Sequence, residues 1–173
     1  MDAWSRSCLR QPYDANGAFA ASGKVDAVLL DALLADAYFH RPPPKSTGRE
    51  HFSETWLTEK LAARKLPAVD VMATLCELTA RSIADAIQRQ APQTMTVLIC
   101  GGGAHNAQLG KRLTGYLPHC ALSTKEAFGV HPDWVEAVAF AWLARETLAG
   151  RAGNLPSVTG ARRPVVLGGI YPA

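Results

Sequence analysis

Hydrophobic residues in the first half of the chain recur three and four positions apart, which is the spacing of amphipathic helices. Helices are predicted over residues 2–11, 24–39, 55–64 and 71–90. Asp70 is predicted to cap the last of these, and Pro92 to stop it. Almost no strand signal accompanies them. Residues 1–92 are therefore predicted to form a mainly helical part.

The second half changes its pattern to short apolar strands that alternate with helices. The predicted elements are a strand at 95–100, a helix at 104–116, a strand near 120–122, a helix at 134–149 and a strand at 164–170. This alternation is typical of an α/β sheet covered by helices. Residues 93–173 are predicted to be the α/β part of one lobe that spans residues 1–173.

The predicted helix at 134–149 is apolar over much of its surface, with Asp133 as its N-cap, so we expect it to be buried. Glu136 interrupts this apolar surface, and a buried carboxylate is costly unless it is paired or hydrogen-bonded. Two interpretations stay open. In the first, Glu136 lies on a solvent-exposed face of the helix or pairs with an arginine. In the second, it accepts hydrogen bonds from a polyhydroxy ligand.

Composition narrows the class of protein. The 173 residues are 48% hydrophobic, which is enough for a core in one domain or one lobe of a larger protein. The net charge is +3 and the basic residues are scattered, which argues against a nucleic-acid surface. No apolar run has the length of a membrane span, and no signal-peptide pattern opens the chain.

The four cysteines, Cys8, Cys76, Cys100 and Cys120, form no Cys-x-x-Cys motif, and we expect free thiols in a reducing cytoplasm. His105 and His131 have no second histidine or cysteine at ligand spacing, so no metal site is predicted.

The strongest chemical signal is the run Ile99-Cys100-Gly101-Gly102-Gly103-Ala104-His105-Asn106. A strand leads through three glycines into a helix, so a ligand could contact backbone N–H groups at a helix N-terminus. A tight turn without a ligand explains the same pattern. The spacing is neither Gly-x-Gly-x-x-Gly nor a Gly-Lys-Ser/Thr phosphate loop, which weakens a Rossmann or P-loop interpretation.

This run resembles the C-terminal lobe of the anhydro-N-acetylmuramic acid kinase family, and further matching strings follow in order along the chain. They lie at residues 2–4, 11–14, 21–25, 42–50, 136–144 and 158–161. The resemblance implies the C-terminal lobe of an actin-like (ribonuclease H-like) ATPase fold, from the superfamily of actin, hexokinase and Hsp70. It also implies an enzyme that uses ATP and Mg²⁺ to open the anhydro ring with water and phosphorylate O6 of the sugar, in cell-wall recycling.

Site residues follow from the same resemblance, position by position. Gly101, Gly102, Gly103 and Asn106 are expected to contact ATP, and Glu136 to help bind the sugar. The loop Lys45-Ser46-Thr47 is expected to border the adenine pocket. No catalytic residue is assigned within the chain, because the family's Asp-Thr-Gly-Pro-Gly-Asn segment, with the aspartate that activates water, is expected upstream of Met1.

Family members are about twice this length, as two lobes of ordinary size require. We therefore expect the chain to lack the N-terminal lobe with its phosphate loop, and to be inactive alone. A nucleotide-binding or interaction module and one half of a split kinase are alternatives. A homodimer is a further expectation. Trp4, Phe19 and Ala20 are expected on an apolar surface that the other lobe would cover.

Overall fold

The computed structural model describes residues 1–124 and 129–171. The α-helices are α1 (Asp2–Leu9), α2 (Ala18–Ser22), α3 (Ala27–Leu34), α4 (Ala37–His40), α5 (Glu54–Leu61), α6 (Ala68–Gln90), α7 (Ala107–Tyr116), α8 (Val135–Leu148) and α9 (Pro156–Thr159). Short 3₁₀ helices lie at Ala15–Gly17, Gly102–His105 and Pro132–Trp134. The strands are β1 (Thr96–Ile99) and β2 (Ala121–Thr124), which pair in parallel with Thr96 opposite Ala121.

The central element is α6, because its apolar residues recur at helical spacing and bury two faces at once. Its residues 71–78 are all buried. One face packs with α3 and α5, and the opposite face packs with α2 and α7. A third cluster beside the sheet joins the end of α7 to β2. The clusters contain Leu29, Leu30, Leu33, Leu57, Val71, Leu75 and Leu78; Ala20, Met72, Cys76, Ala80, Leu109 and Leu113; and Ala84, Leu117 and Cys120.

The predicted α/β class is confirmed in its coarse form, as a mostly helical structure with a small parallel sheet. Strand, helix, strand and helix follow one another from β1 to α8. The two-stranded sheet does not support the finer assignment to a C-terminal lobe of an actin-like fold, which stays a prediction. The division of the chain at residues 92 and 93 also stays a prediction.

The predicted strand at 164–170 is wrong, because the structure shows no strand there among its described residues. The backbone of this segment bonds to a loop and a helix side chain. Val165 donates its N–H to Asn154 Oδ1 at 2.7 Å, and Gly153 donates to the Val165 carbonyl at 3.1 Å. The Leu167 carbonyl accepts from the Thr147 hydroxyl.

Asp70 is not the N-cap of α6. The helix begins two residues earlier, after Pro67, whose carbonyl accepts from the backbone N–H groups of Asp70 and Val71. Asp70 thus lies in the first turn, where the negative charge of a carboxylate interacts favourably with the positive end of the helix dipole. It also accepts the Lys24 N–H at 2.7 Å. The predicted helix at 24–39 divides into α3 and α4, each capped by its own aspartate, Asp26 or Asp36.

The expected exposure of Trp4, Phe19 and Ala20 is wrong. Ala20 is fully buried, and Trp4 and Phe19 are half-buried against the core. Trp4 Nε1 donates to the Ala68 carbonyl at 2.9 Å, which fixes α1 against the start of α6. Most of the exposed large apolar side chains lie instead on α8 and in the segment after it.

Candidate functional site

The glycine run forms the turn that the sequence predicts between β1 and a helix. Gly101 has φ 69° and ψ −169°, a conformation that only glycine adopts readily. A Cβ atom placed at Gly101 or Gly102 would meet no heavy atom of the described residues within 4 Å, apart from the adjoining residues of the chain. The turn is therefore open on the side where its missing side chains would lie, and its backbone is accessible to a ligand.

Asn106 joins this turn to α7. Its Oδ1 caps the helix by accepting the Leu109 N–H at 2.9 Å. The same side chain packs against Gly17, which has a positive φ of 69° and no room for a side chain of its own. Asn106 thus orients the turn and the N-terminus of α7, whose positive end of the helix dipole suits an anionic group.

Glu77 on α6 holds α7 in place through two side chains that lie one helical turn apart. Arg112 and Tyr116 both donate to the Glu77 carboxylate, which is buried at 8% exposure. Burial, followed by the hydrogen bond to Glu77, raises the pKa of Tyr116. This cluster was missed from the sequence. Arg112 and Tyr116 at positions i and i+4 were the available signal, but it does not identify their partner.

The Lys45-Ser46-Thr47 loop lies against α4. Lys45 donates to the Tyr38 carbonyl at 2.9 Å, with its ammonium 4.6 Å from the centre of the Tyr38 ring. Ser46 and Thr47 line a surface pocket of about 490 Å³ beside Asp36 and His51. None of the hydrogen bonds within the described residues joins this loop to the glycine turn. Its predicted place beside adenine stays a prediction.

Glu136 lies in the first turn of α8 and is exposed, as one of its two interpretations had it, whereas the expected burial of this helix is wrong. The helix as a whole is largely exposed, and Glu146 is its buried residue. The pKa of Glu146 is lowered to about 2, first by the hydrogen bonds from Arg151 and then by those from Arg145. The carboxylate that needed an arginine partner in this helix is thus Glu146 rather than Glu136.

A hydrogen bond between side chains connects the glycine turn to the start of α8. His105 Nε2 lies 2.9 Å from Asp133 Oδ1, and the hydrogen bond from His105 lowers the pKa of Asp133. His131 accepts the Asp133 N–H at 3.3 Å. Asp133 is not the side-chain cap of α8 that was predicted, because it lies within the preceding 3₁₀ helix. The pair brings the predicted nucleotide turn and the helix of Glu136 together.

A separate groove of about 360 Å³ lies between α1, α5 and α6, and edge-to-face aromatic contacts build one wall of it. Its lining includes Trp4, Tyr38, Phe52 and Trp56. It contains none of the predicted site residues. Within the described residues no group of three or more metal-ligating side chains occurs, and no helix is long and apolar enough to cross a bilayer.

Comparison with known proteins matches residues 1–173 to the family described as anhydro-N-acetylmuramic acid kinase. A relative of that name from Xanthomonas oryzae pv. oryzae is 55% identical over 173 residues, which are 100% of this chain and 46% of the relative. A relative of the same name from Chromohalobacter salexigens is 56% identical over 175 residues, which cover 99% of this chain and 47% of the relative. A third relative of this name, from Coxiella burnetii, is 48% identical over 171 residues, which cover 99% of this chain and 46% of the relative.

The chain therefore spans about half the length of the curated relatives that it matches. The family resemblance seen in the sequence is confirmed over every residue of the chain. The predicted contacts of individual residues with ATP or sugar stay predictions. By this match, which covers the glycine turn, Asn106 and α8 alike, the chain belongs to the anhydro-N-acetylmuramic acid kinase family.

Proposed function

We propose that the chain forms the part of an anhydro-N-acetylmuramic acid kinase that contacts nucleotide and sugar. The observation that carries this proposal is the open glycine turn, with backbone accessible at Gly101 and Gly102, next to the capped N-terminus of α7. The names of the relatives supply the substrate, 1,6-anhydro-N-acetylmuramic acid. The proposed product is N-acetylmuramic acid 6-phosphate.

In the proposed reaction, water adds to C1 of the sugar while the bond between C1 and O6 breaks. O6 takes the γ-phosphoryl group of ATP, and ADP leaves. Mg²⁺ on the phosphates would neutralise charge that develops during transfer. The residues of this chain bind and orient: the turn residues Gly101, Gly102 and Gly103 present their backbone to ATP, and Asn106 fixes their geometry.

Glu136 is proposed to accept hydrogen bonds from sugar hydroxyls. Its exposure leaves the carboxylate accessible, and the pair of His105 and Asp133 joins its helix to the glycine turn. Lys45, Ser46 and Thr47 are proposed to border the adenine. The general base that activates water is proposed to come from the remainder of the kinase. We also propose that this chain belongs to the C-terminal lobe, that the kinase is a homodimer and that it is cytoplasmic.

Nucleotide binding by the turn is tested with Gly102→Leu, measured by titration with a fluorescent ATP analogue. A leucine there would fill the open space without requiring a positive φ, so we expect at least a tenfold weaker affinity. Gly115→Leu is the matched control, because Gly115 also has open space around it but lies near the end of α7. Equal affinities of the two variants would remove the turn from the nucleotide site.

The kinase activity is tested with a coupled ADP-release assay containing ATP, Mg²⁺ and 1,6-anhydro-N-acetylmuramic acid. The chain is assayed alone and with the remaining part of the kinase supplied as a second polypeptide. We expect ADP release only when both are present, and its loss with Glu136→Ala. Full activity of the chain alone would contradict a base outside it. Nucleotide binding without activity in either assay would favour a binding module.

A further inference from the structure

The sequence and the environment of α8 disagree. Its apolar residues cover most of the helix, and such helices are normally buried. Yet Phe140 is 69% exposed and Leu148 is 74% exposed. We define the outer apolar surface as a set of six exposed apolar side chains on α8 and in the segment that follows it. Its members are Val138, Phe140, Trp142, Leu148, Leu167 and Ile170.

This surface is folded into a defined groove. The groove measures about 580 Å³ and runs between Phe140 and Leu148 on one side and Leu167 and Ile170 on the other. The Glu146 carboxylate ties α8 to Arg151, with 2.6 Å between its Oε2 and the arginine Nε. Gly153 allows a close approach, because a side chain there would lie 3.0 Å from Leu143 and 3.4 Å from Leu167.

The chemistry of the groove favours an apolar protein face as its occupant. Its walls are mainly hydrocarbon, and the hydroxyl of Thr147 already lies within hydrogen-bond distance of the carbonyls of Leu143 and Leu167. A charged ligand or a nucleic acid would lose hydration there without gaining polar partners. Large exposed apolar patches mark interaction sites.

The length of the relatives indicates which protein supplies that face. More than half of each compared relative lies outside the region that matches this chain. The sheet is also small: within the described residues β1 and β2 pair only with each other. Parallel sheets are normally covered on both faces. We propose that the outer apolar surface is the docking face for the remaining half of the kinase polypeptide.

The location of this surface gives it a functional consequence, which rests on the proposed function. Glu136 precedes Phe140 by four residues and therefore lies on the same side of α8, one turn away. Docking over Phe140 places the proposed sugar carboxylate at the rim of the newly covered surface. Assembly of the two parts would thus complete the sugar site.

Thiol labelling tests the docking face without requiring activity. Phe140→Cys is introduced after the exposed Cys8 and Cys100 are replaced by serine, with buried Cys76 and Cys120 kept. Labelling rates are compared between this chain and a full-length chimera in which it replaces the matched region of the Xanthomonas oryzae relative. We expect at least tenfold slower labelling in the chimera. Val28→Cys, 64% exposed on α3, is the control and should label equally in both.

Equal labelling of Phe140→Cys in the two proteins would overturn the proposal. Protection in the isolated chain that increases with its concentration would also overturn it, in favour of a second copy as the occupant. Phe140→Asp provides a second measurement by thermal unfolding. It should leave the midpoint of the isolated chain unchanged and lower that of the chimera, whereas equal lowering in both would indicate a purely local role. Protection of Phe140 in an inactive chimera would uphold the docking face and refute the kinase proposal.

Discussion

Two regions of the molecule have similar apolar sequences but different burial. In the inner region, residues 1–124, α6 is covered by α3 and α5 on one face and by α2 and α7 on the other. In the outer region, residues 129–171, α8 contacts mainly its own neighbours and leaves Phe140 and Leu148 exposed. Periodicity therefore predicts that a helix forms and which side chains are apolar, whereas burial also requires a partner.

Hydrogen bonds differ between the regions in the same way. In the inner region they join segments far apart in sequence, such as Trp4 to Ala68 and Asp26 to Thr74. In the outer region the hydrogen bonds among described residues join closer segments, such as Val165 to Asn154 and Thr147 to Leu167. The inner region is thus a folded core with long-range connections. The outer region instead presents an exposed apolar surface that its own short-range hydrogen bonds hold in shape. Four predictions test this difference between the two regions.

Removal of the Glu77 carboxylate should produce the largest effect. Glu77→Ala leaves the half-buried Arg112 and Tyr116 without their common acceptor, and loss of one partner of a buried pair costs about 3–5 kcal/mol. Glu77→Gln keeps an acceptor for Tyr116 and should cost less. Urea unfolding monitored by circular dichroism measures both. Glu136→Ala, on exposed α8, is the outer control and should change stability by less than about 0.5 kcal/mol.

Leucine truncation compares the two regions directly. Leu33 is fully buried and Leu148 is 74% exposed. Leu33→Ala should lower the free energy of unfolding by about 2–5 kcal/mol, because it removes buried hydrocarbon and leaves a cavity. Leu148→Ala should change it by less than about 0.5 kcal/mol. Comparable losses in urea unfolding of the isolated chain would show that its outer surface is already covered.

The limits of sequence prediction follow this same division. The turn of Gly101 to Gly103 and helices α6, α7 and α8 were predicted, because glycine preference and apolar periodicity are local properties. The strand at 164–170 and the burial of α8 were wrong, because both depend on a neighbour that the described residues do not supply. In the candidate site, the open turn was predictable, whereas the contacts of Glu77 with α7 and of His105 with Asp133 depend on the tertiary fold.

Acid should loosen the outer region through Glu146. Its pKa in the folded chain is about 2, below the ordinary value of 4.5, because of Arg151 and Arg145. The pair therefore stabilises the fold fully above about pH 4.5, and this contribution is lost as the pH falls towards 2. The difference in thermal midpoint between the wild type and Glu146→Gln should shrink over this interval.

A constant difference from pH 5 to pH 2.5 would contradict this assignment of the pKa shift. Glu77→Gln is the inner comparison, since its carboxylate lies against α7 and away from Arg151. Amide exchange locates the effect within the molecule. Faster exchange should begin at Arg151 and Gly153, whose N–H groups close the turn after α8 through the carbonyls of Glu146 and Val165.

The smallest effect on global stability should come from the pair that joins the regions, His105 and Asp133. Both side chains are more than half exposed, and exposed pairs contribute little to the free energy of unfolding. Asp133→Asn should leave the urea midpoint unchanged but speed amide exchange at Ala104 and Asn106, because the turn loses its contact with the start of α8. His131→Ala, which removes a more distant partner at 3.8 Å, should have less effect. If Asp133→Asn leaves exchange at the turn unchanged, the glycine turn is held by Asn106 and α7 alone, and the two regions are independent at this point.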